Sequence, residues 1–186
     1  MAFNVDEFRT NLAFDGARPN LFEVNLTFPG FVALGALAGS QARFKVKTAQ
    51  LPGSTIGTVE VPYFGRQIKV AGNRTFAEWS VTILNDEDFV LRNAFEAWHR
   101  GINENTQNLR NSAAVNTNFG GYGADAQVWQ YGKSGSLLKE YLFVGLWPSD
   151  IAAIDLDWGS NDTIEEYSVT FTYQYWESVD TAAAAP

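Results

Sequence analysis

The chain has 186 residues, a net charge of −8 and no cysteine. That length fits one domain around a single core, 46% hydrophobic residues exclude a disordered polymer, and the missing thiols exclude disulfide staples, thiolate metal sites and cysteine nucleophiles. With 21 acidic residues against 13 basic ones, a nucleic-acid grip is also disfavoured, because that grip comes from Lys and Arg displacing counterions at phosphates.

The first residues, MAFNVDEFRTNL, lack a basic region followed by an apolar core, so no signal peptide is expected. The longest weakly polar run, PGFVALGALAG at 29–39, falls short of the ~20 residues of a membrane helix. The expectation is a protein that is soluble as made, with no membrane anchor.

In chain order, residues 4–13 read as a short helix started by an Asn or Asp cap. Leu21–Phe28 alternates, with Phe22, Val24, Leu26 and Phe28 on one face, and predicts a half-buried strand. Residues 29–41 are small and Gly-rich, a long loop by composition. Ala42–Ala49 alternates again. Thr55–Val61 and Arg66–Val70 form a predicted hairpin with Pro62, Tyr63, Phe64 and Gly65 at its tip. Arg74–Leu84 is the next strand, with Ala77, Trp79, Val81 and Ile83 on one side.

Asn85-Asp86 can cap a helix over Glu87–Arg100, where Phe89, Leu91, Ala94, Phe95 and Trp98 recur at helical spacing and Gly101 is the stop. Residues 102–124 are rich in Asn, Gly and Ala and read as a second long loop. Gln127–Tyr131 leads through a turn at Lys133-Ser134-Gly135 into Leu137–Leu146. Trp147-Pro148 then reads as a turn, followed by strands at Ile151–Trp158 and Thr163–Trp176. About eight strands with one main helix predict a mostly β sandwich or barrel of two packed antiparallel sheets. One domain covers 1–176, and 177–186 is expected to be a flexible tail.

Residue by residue, the chemistry is thin. Asp155 and Asp157 share one face of the predicted strand, the geometry of a carboxylate pair. Ile154, Leu156 and Trp158 opposite them make ordinary alternation the better explanation. His99 is the single histidine, so neither a zinc pair nor a serine triad with a GxSxG elbow can be built. A cation near a helix C-terminus accounts for it. The FGGYG run at 119–123 lacks the strand and helix that flank a nucleotide loop. Trp79, Tyr167, Phe171, Tyr173 and Tyr175 lie on the apolar sides of their strands and are core residues by default, though aromatic residues on a β-sandwich can stack on sugars.

Two features resist the bland explanation. A hairpin tip is normally polar, and this one offers Pro62, Tyr63 and Phe64 to solvent, which calls for a partner or for folding back onto the core. The last strand carries a row of mostly small uncharged residues: Glu166, Ser168, Thr170, Thr172 and Gln174. The residues point away from catalysis and toward a β-protein that makes interfaces.

Ordered blocks across most of the chain, ARPNLFEV (17–24), LPG (51–53), GRQIKVAGNRTFAEWSVTILND (65–86), FEAW (95–98) and YLFVGLWPSDIAAIDLDWGSNDTIEEYSVTFTYQYW (141–176), resemble the tail tube proteins of contractile-tailed phages of the T-even type. RQIKVAGNRTF and GLWP…LDW are the specific parts. The stretches at 29–41, 102–124 and 177–186 are longer than in compact members.

The resemblance implies a non-enzymatic virion protein without cofactor or metal. It assembles as hexameric rings in which one sheet of each subunit joins its neighbours into a barrel around a channel. Rings would stack head-to-tail inside the sheath. Partners would be the sheath protein, the baseplate hub and the tail terminator, with the tape-measure protein and DNA passing through the lumen unbound. Synthesis would take place in the host cytoplasm. On this basis Pro62, Tyr63, Phe64 and Gly65 are the candidate inter-ring contacts, and Glu166, Ser168, Thr170, Thr172 and Gln174 the candidate lumen-facing residues. GLWP…LDW would be framework, a turn and a strand with its carboxylates outward. The alternatives are the inner tube of a phage-tail-like bacteriocin or other contractile injection system and, in a different class, a carbohydrate-binding β-sandwich.

Overall fold

The computed structural model describes residues 5–12, 16–107, 109–110 and 121–179. It is mostly β, with nine strands and three helices among those residues. Strand β1 (Phe22–Leu26) pairs with β6 (Ala124–Tyr131), β6 with β7 (Leu137–Ile151), β7 with β8 (Glu166–Thr172), β8 with β5 (Trp79–Leu84), and β5 with β2 (Val46–Ala49). All of these pairs are antiparallel. The two ends of this path, β1 and β2, approach one another, so the sheet curls around its core. A separate two-stranded sheet is formed by β3 (Ser54–Tyr63) and β4 (Arg66–Phe76).

The axis of the curled sheet is β7, 15 residues long. Its first part pairs with β6 on one side and with β9 (Tyr175–Val179) on the other, and its last residues pair with β8. Gly145 sits at the junction with φ +65, a left-handed value that favours glycine. A Cβ there would lie 2.9 Å from Cγ of Gln174. Trp147-Pro148 is therefore strand and not turn. The proline, which cannot donate to a ladder, falls where the register with β8 shifts.

The expected final strand is likewise two pieces. Tyr167, Val169, Phe171 and Tyr173 are buried, so odd-numbered residues face inward through β8. The chain then breaks at 173–174, and Trp176, not Tyr175, points in, paired with the buried Phe143. Tyr175 is 39% exposed, correcting its assignment to the core. Residues 177–179 belong to β9, so the flexible tail expected from 177 does not begin there; 180–186 lie outside the described residues.

Helix α1 (Val5–Asn11) lies within the predicted first helix. Helix α2 (Gly35–Lys45) overturns two expectations, the 29–41 loop and a strand beginning at Ala42. Its buried face is Gly35, Ala38 and Ala42, at spacings of three and four. These small residues let the helix lie close on β1: a Cβ on Gly39 would sit 2.8 Å from the Leu26 carbonyl oxygen. Small size here serves close packing, not a loose loop. The predicted strand Arg74–Leu84 is also divided, between β4 and β5, at the exposed Ala77-Glu78.

Helix α3 (Val90–Ile102) buries Leu91, Ala94, Phe95, Trp98 and Gly101. It begins later than Asn85-Asp86 would place it. Asp88 Oδ1 accepts the Val90 N–H at 3.2 Å, which, with Lys45 nearby, holds that carboxyl below its usual range. Gly101 is not a stop; the ring of Phe31 covers it inside the last turn. The core joins α3 to the sheet through aromatic contacts: Phe95 meets Phe171 at 5.9 Å and Trp79 stacks on Phe143 at 4.4 Å. Residues 103–107, 109–110 and 121–123 form no helix or strand; the rest of the expected 102–124 loop, including Phe119 and Gly120, lies outside the described residues.

Candidate assembly interface

Every residue of β3 is exposed, and β4 is exposed except for the half-buried Gly72 and Phe76. Val59 pairs with Val70 and Val61 with Ile68. Directly opposed residues share a face, so Val59, Val61, Tyr63, Ile68 and Val70 form one apolar face, each about half exposed. The opposite face carries Thr58, Glu60, Gln67 and Lys69. An isolated two-stranded ribbon is marginal in water, and no other described element covers these faces.

At the tip, Phe64 and Gly65 have φ of 42° and 81°, the two left-handed residues of a type I′ turn. Asn and Gly fit such a turn without strain, whereas a phenylalanine costs about 1–2 kcal/mol. The ring that carries this cost is 91% exposed and meets Tyr63 edge-on, at 4.6 Å. Pro62, Tyr63, Phe64 and Gly65 thus come together at the far end of the hairpin, all exposed.

The polar row lies on the outer face of the curled sheet. Ser168, Thr170 and Thr172 are half-buried and alternate with the core residues of β8. Thr82 opposes Ser168 and Ser80 opposes Thr170, extending the row of hydroxyls onto β5. Glu166 pairs with Lys47 at the β2 side. Gln174 lies past the end of β8, beside Gly145, and is only loosely continuous with the row.

The other candidates do not gather. Ile151 ends β7, and the expected strand to Trp158 is an irregular segment. Asp157 Oδ1 accepts the Gly159 N–H at 3.0 Å, a local turn. No group of three or more metal-ligating residues occurs among the described residues. His99 is held by the Pro148 carbonyl, at 3.1 Å from Nε2, and fixes α3 to β7. Trp79, Tyr167, Phe171 and Tyr173 are buried and offer no stacking platform.

A family profile described as phage tail tube protein matches residues 17–179. This chain belongs to the phage tail tube protein family. Tail tube protein gp19 of Enterobacteria phage T4 is 32% identical over 164 residues, covering 88% of this chain and 92% of that protein. The tail tube protein of Serratia phage KSP90 is 26% identical over 171 residues, 91% and 93% of the two chains. The fold is also that of a chain in the tube-terminating cap of the anti-feeding prophage, with a TM-score of 0.65 at 14% identity, covering 97% of this chain and 100% of that one. A chain of the sheath–tube complex of an extracellular contractile injection system gives 0.59 at 13%, with 97% and 100% coverage.

In this tail tube chain, GLWP…LDW is framework only in its first half. The second half breaks the expectation: Leu156 is 80% exposed and Trp158 100%. These residues were missed because alternation assigned Leu156 and Trp158 to a core face. The signal available was the run Gly159-Ser160-Asn161-Asp162 beside them, which marks a loop. No described helix is long and apolar enough to cross a membrane.

Proposed function

We propose that this tail tube subunit assembles as hexameric rings stacked head-to-tail, forming the inner tube of a contractile tail and the conduit for genome delivery. The observation that carries the proposal is the uncovered hairpin, whose apolar face and strained aromatic tip are built for a neighbour. Pro62, Tyr63, Phe64 and Gly65 contact the next ring. Closing a sheet through its neighbours removes exposed strand edges, and a head-to-tail contact propagates a filament. The polar face of β8, with Ser168, Thr170 and Thr172 at its centre, lines the channel. Six copies at −8 each would place −48 on a ring, and a wall of that sign repels DNA phosphates.

The role is structural and non-enzymatic, and no cofactor is required. Sheath, baseplate hub and terminator are the external partners, and the virion tail is the destination; this is supported by fold relatives solved within sheath–tube, baseplate and cap assemblies. The folded unit runs to about residue 176, with 177–179 added to its sheet. A bacteriocin or injection-system tube is a weaker reading, since identity to those structures is 13–14% against 32% to the phage T4 protein.

Negative-stain electron microscopy of the purified chain, with its solution mass, tests the proposal. Rings or hollow tubes are expected. A strict monomer at high concentration, unchanged by a baseplate seed, would overturn it.

A further inference from the structure

Two exposed surfaces of this chain complement each other. The first is the apolar face of the hairpin, Val59, Val61, Ile68 and Val70, each 46–52% exposed. Its surroundings are basic in an acidic protein. Residues 54–76 contain Arg66, Lys69 and Arg74 against Glu60 alone, a net +2. Lys69 faces Glu60 at 3.9 Å, and Arg66 and Arg74 form no ion pair among the described residues. Arg66 opposes Tyr63 and so sits at the edge of the apolar face, whereas Arg74 opposes Ile56, past the register shift, on the side of Thr58 and Glu60.

The second surface is the irregular segment 152–165. It exposes Leu156, Trp158 and Ile164, and it carries Asp155, Asp157, Asp162 and Glu165 with no basic residue, a net −4. A fully exposed tryptophan flanked by carboxylates is a costly thing to leave in water, and tryptophan is enriched at the buried centres of interfaces.

We infer that the hairpin's apolar face docks on the 152–165 segment of a second copy, with Trp158 seated on the Val61–Ile68 pair and Arg66 facing the aspartates. Apolar surface meets apolar surface and opposite charges surround it, which fixes orientation and steers encounter. Each docked copy still presents one free hairpin and one free segment, so the contact is heterologous and closes a ring or extends a stack. This contact rests on the assembly proposed above and names its residues.

The cysteine-free sequence allows a clean test in the full chain. Ile68→Cys and Trp158→Cys are prepared separately; both positions are exposed, and circular dichroism checks that each folds as the parent does. The two are mixed under assembly conditions and treated with a short bis-maleimide, while the parent is imaged by electron microscopy. The expected result is a covalent dimer several-fold more abundant in the mixture than in either variant alone. Rings or tubes without that dimer would overturn the docking contact and leave the tube assembly standing. Neither rings, tubes nor dimer would overturn both. A dimer without rings or tubes would support the contact and count against the ring assembly.

Discussion

The ring of Phe31 lies against Gly101 so closely that a Cβ at 101 would fall 2.2 Å from Phe31 Cε2. Alanine is the better helix former by about 1 kcal/mol, yet overpacking at a closed contact costs about 1–3 kcal/mol. Gly101→Ala is therefore expected to lower stability by up to about 2 kcal/mol and to reduce the thermal midpoint. Phe31→Leu in the same chain should recover most of the loss. Calorimetry of the three variants checks it; a raised midpoint in Gly101→Ala alone would show that the ring moves freely aside.

Tyr167 is buried, and its hydroxyl has no hydrogen-bond partner among the described residues, while Arg92 lies 5.1 Å from its ring centroid. Burial pushes the phenol well above its ordinary value of 10.0, and burial raises Tyr173 as well. The unfolded chain then loses these protons first. The contribution to stability is complete below pH 10 and is lost as pH rises beyond it. Tyr167→Phe removes the orphan hydroxyl and keeps the ring under Arg92. It should leave neutral-pH stability equal or raise it by about 1 kcal/mol, with a shallower fall above pH 10 in denaturant titrations. A steeper fall in the variant would contradict this.

At the hairpin tip, Phe64→Asn exchanges a strained residue for one at home with positive φ. The subunit's own stability should hold or rise slightly. Assembly should weaken, with sedimentation showing shorter tubes or free rings. Unchanged tube length would remove Phe64 from the contact between rings.

Lysines introduced at Ser168 and Thr170 point away from the core residues Tyr167, Val169 and Phe171 and should not disturb folding. In a ring of six, the double variant adds twelve positive charges to the proposed channel wall. Tubes of the variant should retain DNA in a co-sedimentation assay and release it as salt rises, whereas parent tubes should not. Equal DNA release by both would place this strand elsewhere than on the channel.

Strands with strict alternation and a helix with a wide apolar stripe were legible in the sequence. Val24 and Leu26, Val81 and Ile83, and Leu91, Phe95 and Trp98 lie in the structure where their spacing places them. What was not legible depends on contacts across the fold. Gly35, Ala38 and Ala42 have helical spacing, but their size carries little hydrophobic signal, and only β1 lying against them shows their purpose. Pro148 reads as a breaker until β8 appears beside it with a shifted register. The change of face at Gln174 is invisible because Tyr and Trp occur on both sides of it. At the candidate interface, the tip was conspicuous because Tyr63 and Phe64 occupy turn positions. The flat of the hairpin was hidden, since an alternating strand looks the same whether its apolar face meets its own core or a neighbour's.

The uncovered hairpin also gives the free subunit a vulnerability that the proposed assembly would remove. Arg66, Lys69 and Arg74 are cleavage sites for a trypsin-like protease, on a ribbon with no core of its own to resist local opening. Once a neighbour covers the ribbon, the same bonds are withdrawn from attack. A brief protease pulse would therefore separate free from docked molecules, cutting the former at the hairpin and sparing the latter.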